Sequence, residues 1–147
     1  MDRIVKITVK LGHGMWSMVV VVGEDGRFYR RKKTSTSLLL RYSLEAGIID
    51  GDKISFGVQH FVADMANEEG EEFYFGRIGG RCEAIVKWNV MKCDKNIEIT
   101  VEDVEEYTLH SGEIMSLEEM DLVERVYIKD LMSGAERCMQ KFVKEEP

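Results

Sequence analysis

The chain has 147 residues, of which 44% are hydrophobic and 32% charged, with one proline and a formal net charge of −7. That is the length of one ordinary domain, with too much apolar content for a disordered chain and too acidic a balance for a surface that follows a nucleic-acid backbone throughout. No signal peptide opens the chain, and its longest uncharged run, 11–23, is too short to span a bilayer, so a soluble, cytoplasmic protein with no membrane partner is expected.

Arg3 to Leu11 places Val5, Ile7, Val9 and Leu11 on one side of a strand of period two. Gly12-His13-Gly14 breaks it, and the apolar run from Met15 to Val22 reads as a strand buried on both faces. The sequence GEDG (23–26) is a hairpin turn, and Arg27 to Lys33 is the returning strand. From Ser37 the period changes: Leu38, Leu39, Tyr42 and Ala46 recur at helical spacing, with Ser35 or Ser37 as N-cap and Gly47 just beyond the end. EAGIIDGDKI (45–54) resembles the helix–glycine–turn–strand connection of several small barrels and peptide-binding domains, a ten-residue likeness that implies a turn and no function. Strand character resumes from Lys53 to Met65, an acidic loop follows at 66–72, and strands are expected at 72–78, 82–92 and 97–101. Ser116 and Glu119 have capping-box spacing, and Met120, Val123, Tyr127, Leu131, Ala135, Cys138 and Phe142 then follow a helical period in which Gly134 is a weak point.

Strands that do not alternate with helices exclude a doubly wound parallel sheet. The expected fold is a single α+β domain over 1–147: a mainly antiparallel curved sheet or small barrel (1–110), one short helix after the third strand, and a long C-terminal helix (116–145).

No reaction is legible. The chain lacks HExxH, a Walker loop, Gly-x-Ser-x-Gly and a dinucleotide fingerprint. Cys82, Cys93 and Cys138 are odd in number and lack CxxC spacing, which reads as free thiols. Of His13, His60 and His110, only His13, between two glycines and near Trp16, looks site-like, and a turn histidine is more often structural. The expectation is a non-enzymatic protein without cofactor, metal or catalytic residue.

Charge is unevenly distributed. Residues 1–53 carry ten bases and six acids, 54–97 five and seven, and 98–147 five and fourteen. Five of the seven residues from Arg27 to Lys33 are basic. In a strand, Phe28, Arg30 and Lys32 share one face and Arg27, Tyr29, Arg31 and Lys33 the other, so beyond Tyr29 both faces are charged and should stay out of a core. A helix beginning near Ser37 would add free N–H groups to this charge. Tyr29, Arg30, Arg31, Lys32, Lys33, Thr34, Ser35, Thr36 and Ser37 are therefore the candidate site for a phosphate-bearing ligand, a nucleotide or single-stranded nucleic acid. Arg77 and Arg81, in a glycine-rich turn, are its second arm. The bland alternatives are edge-strand protection by basic residues, or neutralisation of the basic end by the acidic end within one chain or across a dimer. The rival function is a protein–protein interaction or inhibitor module, self-associating through an acidic C-terminal helix with a stripe of Met115, Met120, Met132 and Met139, and through a sheet edge.

Overall fold

Alternation organises more of this chain than helical period does. The structure, a computed structural model, describes residues 2–35, 40–62, 67–86, 97–107 and 116–145, and these form eight strands and one long helix. β1 (Arg3–Leu11) and β2 (Gly14–Val22) make a hairpin, and β8 (Ile97–Asp103) joins β1 to give the sheet order β2-β1-β8. β3 (Arg27–Ser35), β4 (Leu40–Asp50), β5 (Lys53–Val62), β6 (Asn67–Arg77) and β7 (Cys82–Val86) form a five-stranded antiparallel meander. Isolated bridges from Ile78 to Ile99 and Arg81 to Glu98 link the far edge of the meander to β8, and the two sheets do not close into a barrel. The α+β expectation with an antiparallel sheet holds. Among the described residues no helix is long and apolar enough to cross a membrane.

The short helix expected after the third strand is a strand instead. Residues 40–50 form β4, in register with β3 on one side and β5 on the other. Both faces of β4 are covered: Leu44 and Ala46 lie under the C-terminal helix, while Glu45, Gly47 and Ile49 face the other sheet. A strand buried on both sides loses its clean alternation, so its apolar residues fall at spacings that imitate a helix. Gly47, expected at a helix end, sits mid-strand between Phe28 and Phe56, where a Cβ would lie 2.7 Å from Phe28 Cζ. Ser35 is a strand residue rather than an N-cap, and Thr36 to Leu39 lie outside the described residues. The acidic run at 66–72 likewise belongs largely to β6, and 45–54 is a hairpin turning at Gly51, where φ is +62°. The expected continuation of β7 to Lys92, the turn at 93–96, His110 and Met115 lie outside the described residues.

Two cores result. Between the sheets, Val5, Ile7, Val9, Met18, Val20, Phe28, Ile54, Phe56 and Ile99 form one cluster. The second lies under α1 (Leu122–Glu145), where Ile128 and Leu131 pack on Leu44, Ala46 and Phe73. The methionine stripe packs the same way: Met120 and Met139 are buried against the protein's own sheet. A single 3₁₀ turn, Leu117–Glu119, precedes α1, and Ser116 makes no side-chain cap. The capping box is five residues further on: Glu124 N–H donates to Asp121 Oδ1 at 2.8 Å and Asp121 N–H to Glu124 Oε1 at 3.2 Å.

Burial in the inter-sheet core pushes the Cys82 thiol up to about 12, and burial against the core under α1 raises that of Cys138. The thiolate is the reactive form. Iodoacetamide at pH 8 should therefore leave Cys82 unmodified in the folded protein and alkylate it fully in denaturant, as read by peptide mass.

Candidate functional site

Strand parity sorts the basic stretch into two unrelated environments. Arg27, Tyr29 and Arg31 point to α1. Arg27 Nη2 donates to Glu136 at 2.6 Å, and Arg31 Nη1 donates to both carboxylate oxygens of Glu124 at 2.7 and 2.8 Å. The Tyr29 hydroxyl accepts from the Leu117 N–H at 3.2 Å. These side chains clamp the helix to the edge of the meander. Glu124 serves twice, capping α1 and receiving Arg31. So the acidic end does neutralise the basic end within one chain, at these two pairs and at Arg3–Asp103 (3.1 Å).

Phe28, Arg30 and Lys32 point the other way, between the sheets. Here the expectation that charge stays out of the core needs correction. Arg30 is 4% exposed, and its guanidinium grips Glu45, also 4% exposed, through Nε and Nη2. The two residues are register partners on β3 and β4, so burial of the pair follows from the strand alignment. Buried ions persist when paired with good geometry and further hydrogen bonds, and Ser43 Oγ donates to Glu45 Oε1 at 3.4 Å.

Around this pair the inter-sheet space opens into a cavity of about 250 Å³. Its walls come from β2 (Trp16, Ser17), β3 (Arg30, Lys32), β4 (Glu45), β5 (Val58, His60) and β6 (Glu72). The register Arg30–Glu45–Val58–Glu72 runs straight across four strands, and His60 stands beside it opposite Ser43. Tyr74 donates its hydroxyl to Glu72 Oε2 at 2.6 Å. Burial first, and then that bond, push the phenol far above its ordinary value, so it remains a donor at every working pH. One aromatic ring, Trp16, lines this space, and it is backed by buried rings: Trp16 meets Phe56 and Tyr74 edge-on at 6.0 Å each, and Phe56 stacks on Tyr74 at 5.0 Å. Glu45 is held by Arg30 and Glu72 by Tyr74. Lys32 has no hydrogen bond or ion pair to any described residue.

The other candidates do not converge here. Arg77, at the opposite end of β6, pairs with Asp52 and lies 5.8 Å over the Phe142 ring. Arg81 is exposed where the turn bridges to β8. The side chains of Lys33, Thr34 and Ser35 lie outside the described residues, as do Thr36 and Ser37 altogether. His13 is exposed in the β1–β2 turn, and no group of metal-binding side chains occurs among the described residues.

Glu45, His60, Glu72, Trp16 and Tyr74 were not among the sequence candidates. One signal for Glu45 was present: a lone acid in an apolar run (Leu44 to Ile49) facing a strand of arginines. Two other concavities also carry cations. One, about 480 Å³, lies along exposed Arg137, Gln140, Lys141 and Lys144 on α1. Screening at physiological salt weakens such open charge within roughly 8 Å, and nothing there shapes a ligand. The other, about 370 Å³, sets Arg27 and Lys129 against Asp2 and Asp25 and so has no net pull on an anion. Compared with known protein families, curated proteins and solved structures, the chain matches none.

Proposed function

We propose that this protein is a cytosolic, non-enzymatic binding module for a small phosphate-bearing ligand held between its two sheets. The observation that carries this reading is Lys32: an inward cation beside a buried, already neutralised arginine, with no ion pair to any of the described residues. The two bases and two acids of the lining cancel formally, but Glu45 is held by Arg30 and Glu72 accepts the Tyr74 hydroxyl, so an anion placed there would meet Lys32. Arg30, gripped by Glu45, holds its guanidinium plane in the same lining as Lys32, and Glu72 accepts the Tyr74 hydroxyl on Oε2. The Trp16 ring in the lining supports a ligand with a planar or apolar body. At about 250 Å³ the space falls below the roughly 300–1,000 Å³ of drug-sized pockets, which favours a sugar phosphate or mononucleotide over a nucleic-acid strand.

Trp16 is a built-in reporter. In a Trp88→Phe background, its fluorescence is followed while inorganic phosphate, ribose 5-phosphate, mononucleotides and a short oligonucleotide are titrated at low and physiological salt. Saturable binding of a small phosphate compound is expected. Lys32→Met should weaken it about 10- to 100-fold, as for loss of one charged hydrogen bond. No saturable response to any of these probes at physiological salt overturns the reading.

A further inference from the structure

A second row runs beside Arg30–Glu45–Val58–Glu72 on the inter-sheet face. Lys32, Ser43 and His60 are register partners across β3, β4 and β5. Parity puts His60 with Ile54, Phe56 and Val58, and its ring lines the cavity together with Lys32. Adjacent strands are about 4.8 Å apart, so Lys32 and His60 stand about 10 Å from each other at the backbone, with only a small serine between them. On the far side of His60 its partner is Gly70, where a Cβ would meet nothing within 4 Å. The imidazole, like the Lys32 ammonium, has no hydrogen bond or ion pair to any described residue. Two nitrogen-bearing side chains thus flank one gap.

The charged groups facing His60 across this space are Arg30 and Lys32 from β3, Glu45 from β4, and Glu72 with its Tyr74 donor from β6, while β2 contributes only Trp16 and Ser17. Ordinary carboxylates, lysines and arginines keep their charge between pH 5.5 and 8, and imidazole is the group that changes its charge inside that window. With His60 neutral the lining carries no formal net charge; with His60 protonated it is cationic. We infer, on the phosphate-site reading above, that His60 is the second anion-binding residue of the cavity and takes up a proton as the ligand binds. Lys32 and the imidazolium then donate to the phosphate oxygens from opposite sides of Ser43. A bound anion favours the protonated ring, and by linkage the protonated ring favours the anion. The site fills most readily in mildly acidic solution and empties as pH rises.

Ribose 5-phosphate and adenosine monophosphate are titrated at physiological salt into the parent, His60→Gln and His60→Lys proteins, all in the Trp88→Phe background, at pH 5.5 and pH 8. Kd is read from the midpoint of the Trp16 response and not from its amplitude. Comparing proteins at one pH cancels the ligand's own titration. At pH 5.5 His60→Gln should bind about tenfold more weakly than the parent, as for loss of one charged hydrogen bond, and at pH 8 within about twofold of it. His60→Lys, whose charge is fixed, should bind like the parent at pH 5.5 and about tenfold more tightly than it at pH 8. The same ratio to the parent at both pH values, for either variant, overturns the role of His60 and leaves the cavity reading standing. No saturable binding of either compound to the parent at either pH overturns that reading and this inference with it.

Discussion

Arg30→Met is expected to cost this protein about 3–5 kcal/mol, because it strands the Glu45 carboxylate in the core without its partner. Folded domains are stable by only about 5–15 kcal/mol, so from about a fifth to the whole of the margin would go with one side chain. The double variant Arg30→Met, Glu45→Leu should return to within about 1 kcal/mol of the parent or exceed it, since two apolar side chains avoid the desolvation that the ion pair has to overcome. Urea titration of the four corners of this cycle measures both quantities, and a double variant as unstable as Arg30→Met would show that the pair does more than neutralise itself. The same variants separate fold from function. If the pair is retained for the cavity, the double variant should fold and yet bind the phosphate probes more weakly, because it keeps Lys32 but loses the fixed guanidinium beside it.

That buried pair also marks where sequence reasoning stops. Parity alone placed Arg30 and Lys32 on the face opposite Arg27 and Arg31, and the structure keeps that division. What parity could not supply was the partner of each face. Arg31 and Glu124 are 93 positions apart, and Arg27 and Glu136 are 109 apart. A strand charged on both sides looks unfit for any interior until the second partner surface is known. β4 failed for a related reason. Its Leu44 and Ala46 answer to α1 while its Glu45, Gly47 and Ile49 answer to the other sheet, and the two demands overlaid in one string read as a helix. The strands with a single buried face, β1 above all, were legible because one demand writes one period. The C-terminal helix was legible over its length, but its start was misplaced: Ser116 and Glu119 have the right spacing and Asp121 and Glu124 have the bonds.

Gly134 is the position where helix propensity and packing point in opposite directions. An isolated helix would gain about 1 kcal/mol from Gly134→Ala. In this fold α1 crosses the meander at that residue, and the ring of Phe73 fills the space a side chain would need: a Cβ would stand 2.5 Å from Phe73 Cε1. Gly57, on the sheet below, makes the same allowance, since a Cβ there would meet Phe73 Cε1 at 2.6 Å and Leu131 Cδ2 at 2.9 Å. The ring is thus held between two glycines, with Ser55 Oγ donating to the Ala135 carbonyl at 2.7 Å to fix the crossing. Relieving the overlap means lifting the helix or forcing Phe73 off its rotamer, at about 1–3 kcal/mol for one carbon and more for larger groups. Gly134→Ala should therefore lower stability by up to about 2 kcal/mol net of the propensity gain, and Gly134→Leu by considerably more. Ser133→Ala, one residue away and exposed, should change stability by less than about 0.5 kcal/mol, because it gains helix propensity and loses only the exposed bond that Ser133 Oγ accepts from Arg137 Nη1 at 2.8 Å. Phe73→Leu combined with Gly134→Ala should recover part of the loss, a recovery that a purely local helix effect at 134 would not produce. If Gly134→Ala instead raises the melting temperature, α1 does not lie this close to β5 and β6, and the clamps from Arg27 and Arg31 would have to hold it at a greater height.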